Sequence, residues 1–100
     1  MAKYNELSVK TLVSILSEAT SFTTSSWYEG RGIMHRVHYP NGYGASIVKH
    51  DGSYGCKSDL WEVAVLDGDG LCYSTPITDD VIGYASDEEV SDICRRIRRL

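Results

Sequence analysis

Apolar residues recur at helical spacing near both ends of the 100-residue chain and at alternate positions between. Val9, Leu12, Val13, Leu16 and Ala19 recur at +3 and +4 spacing, with Lys10, Ser14, Ser17 and Glu18 off that stripe. The pattern predicts a helix over about 6–19, capped by Asn5 or Ser8. A hydroxyl-rich run over 20–26 ends it and leads into extended structure, because Ser and Thr compete for backbone hydrogen bonds and Thr favours strands. From there the period is two. Ile33, His35, Val37 and Tyr39 alternate with Met34, Arg36 and His38; beyond Pro40-Asn41-Gly42, Tyr43, Ala45 and Ile47 continue on one face. After a polar loop over 51–59, Trp61, Val63 and Val65 oppose Leu60, Glu62, Ala64 and Leu66, and Asp67-Gly68-Asp69-Gly70 turns into 71–75. Tight turns such as Asn-Gly join antiparallel neighbours, so the middle of the chain reads as a meander of three or four strands.

Pro76 is expected to end the last strand, and Thr78 to cap one short helical turn through Asp79-Asp80-Val81-Ile82 that Gly83 stops. Ser86 and Glu89 have the spacing of a capping box, and Val90, Ile93, Cys94, Ile97 and Leu100 form the stripe of a final helix. Acids at its start and Arg95, Arg96, Arg98 and Arg99 at its end both suit the helix dipole. Two amphipathic helices and one sheet predict a two-layer α+β fold over a single domain, 1–100, with both stripes on the same sheet face. Leu12, Leu16, Val63, Val65, Ile93 and Ile97 are expected to share one core.

Composition narrows the class. With 42% apolar and 24% charged residues, nine Gly and two Pro, the chain is neither low-complexity nor disordered. A net charge of −4 argues against a general nucleic-acid binder. The charge is uneven: residues 51–92 hold eleven acids and one base, Lys57, while the rest hold nine bases and three acids. Solvated turns and a helix N-terminus account for much of this, and the sharper reading is an acidic face that steers the chain onto a basic partner. No stretch nears the roughly 20 apolar residues of a membrane span. Ser14 breaks the apolar run near 12–16, which speaks against a signal-peptide core. Cys56, Cys72 and Cys94 are odd in number and unpaired in spacing, so the chain reads as cytoplasmic and reduced, with neither a disulfide framework nor a zinc site.

Candidate chemistry is sparse. Val63–Val65 followed by Asp67-Gly68-Asp69 has the apolar strand and Asp-x-Asp of haloacid-dehalogenase-type phosphatases. Leu71 and the short remaining chain do not fit that enzyme, however, and a hairpin turn explains the Asp and Gly. Leu71 also stands where a calcium loop needs an oxygen ligand. Cys56 with His50 or Asp51 could form a nucleophile pair only if the fold brought them together. Cys72 and Cys94 read as core residues. His35, His38 and His50 lack metal-ligand spacing and read as residues of a half-exposed sheet. Gly42-Tyr43-Gly44 precedes no helix and is not a phosphate loop. No metal, cofactor or catalytic residue is expected.

Seven tyrosines and two tryptophans remain, and Tyr39, Tyr43 and Tyr54 flank turns where a ring can serve an interface. Three segments carry a resemblance: 39–46 (Tyr39-Pro40-Asn41-Gly42-Tyr43-Gly44-Ala45-Ser46), 60–66 (Leu60-Trp61-Glu62-Val63-Ala64-Val65-Leu66) and 71–84, from Leu71-Cys72-Tyr73 to Ile82-Gly83-Tyr84. Over roughly 35–100 the chain resembles small uncharacterised proteins of tailed bacteriophages. The resemblance implies a phage product made in the bacterial cytoplasm and transfers no catalytic residue; small acidic phage proteins often bind and disable host factors or defence components. The leading expectation is therefore a non-enzymatic accessory protein that docks a basic host protein through Tyr39, Tyr43, Tyr54, Asp79 and Asp80, with Tyr43 the first anchor. The alternative is a small-ligand binder, such as a sponge for a nucleotide signal, built on Arg31, Arg36, Tyr43 and Tyr54. An enzyme based on Cys56 or Asp67 ranks third, and homo-oligomerisation stays open.

Overall fold

The computed structural model describes residues 6–26, 30–78 and 80–100. Its elements are α1 (Val9–Leu16), β1 (Ser21–Ser26), β2 (Gly32–His38), β3 (Tyr43–His50), β4 (Trp61–Asp67), β5 (Gly70–Leu71), β6 (Ile82–Ala85) and α2 (Asp87–Ile97). β1 to β5 neighbour one another in chain order, every pair antiparallel, and β6 returns to pair with β4. β5 lies opposite Leu66 and Asp67 and β6 opposite Trp61 and Val63, so the two short strands share one edge of β4. The α+β class and the flanking helices agree with the periodicity, but the strand count exceeds the three or four predicted.

Register assigns each side chain a face. Phe22, Val37, Ala45 and Val65 form one row across the sheet, and Thr24, His35, Ile47 and Val63 the next. With Trp61 and Ala85 the apolar members of these rows meet Leu7, which precedes α1, Ile15 of α1 and Val90, Ile93, Cys94 and Ile97 of α2 in one core. The opposite face carries Arg36, Ser46 and Ala64 in one row and Met34, Val48 and Glu62 in another. No helix covers it.

α2 forms where its capping box places it. The Glu89 N–H donates to Ser86 Oγ at 3.2 Å and the Ser86 N–H donates to Glu89 Oε1 at 3.2 Å. At its other end Asn41 Nδ2 donates to the Ile97 carbonyl at 2.9 Å, so the β2–β3 turn satisfies a carbonyl that the helix leaves open. Leu100, predicted on this stripe, lies past the helix end and is 38% exposed.

α1 departs from its predicted length and phase. Ser8 caps it, and Glu18, at φ +65°, lies beyond its end. Its buried positions are Thr11 and Ile15, preceded by Leu7; Leu12 is half-buried, whereas Val9, Val13 and Leu16 are exposed, Val9 by 77%. Contacts outside α1 set this phase. The Tyr39 hydroxyl donates to the Ile15 carbonyl at 2.6 Å, and the Ser8 N–H donates to Asp87 Oδ2 at 2.8 Å. With only eight residues, α1 follows these anchors rather than its own apolar stripe.

The short helical turn predicted through Asp79-Asp80-Val81-Ile82 does not form over the described residues 80–82, and Ile82 instead opens β6, in which Ile82 and Ala85 find partners in Val63 and Trp61 across a register shift. β5 ends at Leu71, well before Pro76. His35 is also not half-exposed. At 2% exposure it stacks on Phe22 with ring centroids 5.5 Å apart and sits 5.5 Å from Trp61.

Candidate functional site

The sheet topology sorts the expected docking residues into different places. Tyr39 is 2% exposed, its ring taken up by the core and its hydroxyl by Ile15, and burial raises its pKa. It is structural, contrary to its expected exposure. Tyr43 lies on the helix-covered face opposite Asp67 and is half-buried against the core. Asp80 is exposed on the approach to β6, and Asp79 lies outside the described residues. Tyr54 is 61% exposed in the 51–58 loop.

Tyr54 has an unanticipated companion, Tyr84 on β6, exposed by 60%. The two are brought together by glycines. A Cβ on Gly83 would lie 2.6 Å from Tyr54 Cβ, and one on Gly55, itself at φ +97°, would lie 3.0 Å from Tyr84 Cα. Loop and strand backbones therefore meet at a distance only glycine allows. Tyr84 itself adopts φ +57°, a conformation costing a bulky residue about 1–3 kcal/mol that the surroundings must impose. The Tyr54 N–H donates to Glu62 Oε1 at 3.2 Å, which ties the loop to β4. Asp51, Ser53, Cys56, Lys57 and Ser58 complete a cleft of about 240 Å³ beside the two rings. Tyr84 was missed because no local signal marks a tyrosine for the left-handed region.

The residues of the small-ligand alternative do not converge. Arg36 lies on the open face of the sheet and Tyr43 on the opposite one. Tyr54 lines its own cleft, and Arg31 is exposed just before β2. Arg36 does line a groove of about 200 Å³ on the open face, with Met34, Val48, Glu62, Leu71 and Val81 among its walls.

The enzyme candidates lie in separate parts of the fold. Gly68 takes φ +60° in the turn between β4 and β5, and Asp67 pairs with Gly70 across it. Asp69 is 94% exposed and lies 3.5 Å from His38 Nε2. Cys56 is half-buried in a short 3-10 turn over Cys56–Ser58. Cys72 is half-buried. Cys94 is fully buried, and burial pushes its thiol up to about 11, far from thiolate at neutral pH. Among the described residues no three His, Cys, Asp or Glu side chains converge as metal ligands, and no helix is long and apolar enough to cross a membrane.

The titratable group most constrained by the fold is His35. Its Nδ1 lies 2.8 Å from Thr24 Oγ1, while its buried Nε2 has no hydrogen-bond partner among the described residues. Burial lowers its pKa below the ordinary 6.5; Glu6 works against this and Lys49 with it. The unfolded chain therefore takes up a proton at about pH 6.5 that the folded chain accepts only at lower pH. Above this range His35 is neutral in both states and contributes no pH dependence. Within it, stability falls as pH falls from about 6.5 to the folded-state pKa, and below both His35 adds no further change. His35→Phe, which keeps a ring against Phe22, is expected to flatten the loss of melting temperature between pH 7 and pH 5. Parallel slopes for the two proteins would refute this assignment.

Comparison of the chain with protein-family models, curated proteins and solved structures finds no match.

Proposed function

We propose that the chain is a non-enzymatic binding protein, a phage accessory product in line with its resemblance, that docks a basic host protein through the Tyr54–Tyr84 corner. The observation that carries this reading is a pair of tyrosines, each about 60% exposed, on backbone held in place by Gly55, Gly83 and a strained Tyr84. Tyrosine supplies large contact area at low entropic cost, and a fixed backbone lowers the ordering cost of binding further. Asp51 and Asp80 are exposed nearby in the chain and supply negative charge for steering. Tyr43, half-buried against the core, becomes a support of its hairpin rather than the first anchor.

The test is capture from bacterial lysate on immobilised wild-type protein, followed by binding kinetics with the retained protein. Tyr54→Ala combined with Tyr84→Ala is expected to cost about 2 kcal/mol or more, seen as roughly thirtyfold faster dissociation. Asp80→Lys should slow association instead. Added salt should do the same, because the screening length falls from about 10 Å at 0.1 M to about 3 Å at 1 M. Unchanged dissociation from the folded double-tyrosine variant would refute the corner as the docking site, and salt-independent association would remove the steering.

A further inference from the structure

Arg36 occupies an unusual position for a guanidinium. It is half-buried on the open face of the sheet, forms no hydrogen bond or ion pair with any described residue, and its Nε is wholly covered without a partner. The other half-buried arginines are engaged: Arg98 approaches Glu18 at 3.6 Å and donates to the Ser14 carbonyl, and Arg95 bonds Asp92. A covered, charged donor left unpaired costs free energy that a bound acceptor would recover.

Ser46 lies directly across from Arg36 in the β2–β3 register, with its side chain on the same face. It is 6% exposed, and its hydroxyl makes no side-chain hydrogen bond with the described residues. Directly opposed side chains stand about 4.5–5.5 Å apart at Cβ, close enough for both to reach one ligand group. The surrounding wall is largely apolar, with Met34, Val48, Ala64, Leu71 and Val81, and His50 adds a polar ring to it. Glu62, the acid in this groove, lies on β4, two strands from Arg36 and one row along, and already accepts the Tyr54 N–H.

We infer that this groove binds a small oxyanion, a carboxylate or phosphate carried on an apolar body, with Arg36 and Ser46 as its donors. A guanidinium offers paired N–H groups that match two oxygens of such an anion. Glu62 disfavours a second negative charge at the other end, so the anion sits at one end of the ligand. The volume of about 200 Å³ falls below the roughly 300–1,000 Å³ of pockets for drug-sized ligands, which limits the guest to fragment size. The site goes beyond the docking function proposed above and needs no protein partner, so either can fail without the other.

The experiment titrates isotopically labelled protein with benzoate, phenyl phosphate and neutral benzyl alcohol, following backbone amide shifts. Benzoate and phenyl phosphate distinguish the two anion types. At least one should shift the amides of Arg36, Ser46 and Ala64 and bind at least tenfold more tightly than benzyl alcohol. Arg36→Met should weaken that binding at least tenfold without lowering the melting temperature, whereas a merely structural Arg36 would lose stability and leave affinity unchanged. Ser46→Ala, a milder change on the facing strand, should weaken binding severalfold. The inference is overturned if neither anion binds at these residues, if the shifts map to 95–99, or if Arg36→Met binds as wild type.

Discussion

Trp61→Ala is expected to remove about 3–5 kcal/mol of stability, a large part of the roughly 5–15 kcal/mol that holds a folded domain together. Trp61 is fully buried at the β4 position that pairs with Ala85 of β6. Its Nε1 donates to Asp87 Oδ1 at 3.0 Å, and the other oxygen of Asp87 accepts the Ser8 N–H at 2.8 Å. One indole thus links the sheet, through a single carboxylate, to the first turn of α2 and the cap of α1. The Lys49 ammonium lies 4.1 Å from its ring centroid and the His35 ring 5.5 Å away. Trp61→Phe separates packing from hydrogen bonding. It keeps an aromatic face for Lys49 and His35 but loses the bond to Asp87, and is expected to cost about 1–2 kcal/mol because half-buried Asp87 can turn to water. Denaturant titration reads both effects as lower midpoints at unchanged slope. A Trp61→Ala midpoint within about 1 kcal/mol of wild type would show that the core repacks around the gap.

The legibility of the fold follows how locally each element is determined. α2 has its cap, stripe and charge gradient within its own residues, and the structure places the capping box and the stripe from Val90 to Ile97 as read, with Leu100 past the helix end. The inward rows of β2, β3 and β4 follow the period of two, and the Asn41-Gly42 turn joins β2 to β3 in register. β6 failed this test because Asp80, Gly83 and a preceding Thr78 make a better local helix start than strand; only the exposed edge of β4 turns 82–85 into a strand. α1 shows the same limit in another form. Its apolar stripe is real, but bonds from Tyr39 and to Asp87 rotate Thr11 and Ile15 inward instead. The candidate site was legible only in part. Tyr54 stood out as an aromatic residue in a glycine-rich loop, whereas Tyr84 becomes its companion through a backbone conformation that no pattern of residue types announces. Arg36 was named from its chemistry, and only the register shows which residues share its face.

Lys49 gives the clearest case of a position that alternation alone misjudges. It falls on the inward phase of β3, after Ala45 and Ile47, and is 2% exposed. Its ammonium is held between the Trp61 ring and the Asp59 carboxylate, at 2.8 Å. Asp59 is 55% exposed at its side chain and takes φ +60° after the 3-10 turn. The pair is asymmetric, and the asymmetry decides the expected result. Removing the charge at Asp59 takes a counter-charge at 2.8 Å from a buried ammonium, whereas removing Lys49 leaves a carboxylate that water already reaches. Asp59→Asn, which tolerates the left-handed backbone, is therefore expected to cost about 2–3 kcal/mol. Lys49→Met keeps the packed stem and drops the charge, and should stay within about 1 kcal/mol of wild type. Combining the two should bring stability back to that of Lys49→Met, since the penalty of Asp59→Asn exists only while the ammonium is present. Melting temperatures of the three variants at pH 7 measure this. If Lys49→Met is the more damaging single change, the ammonium over Trp61 is itself a net source of stability, and the buried charge is worth more than its desolvation costs.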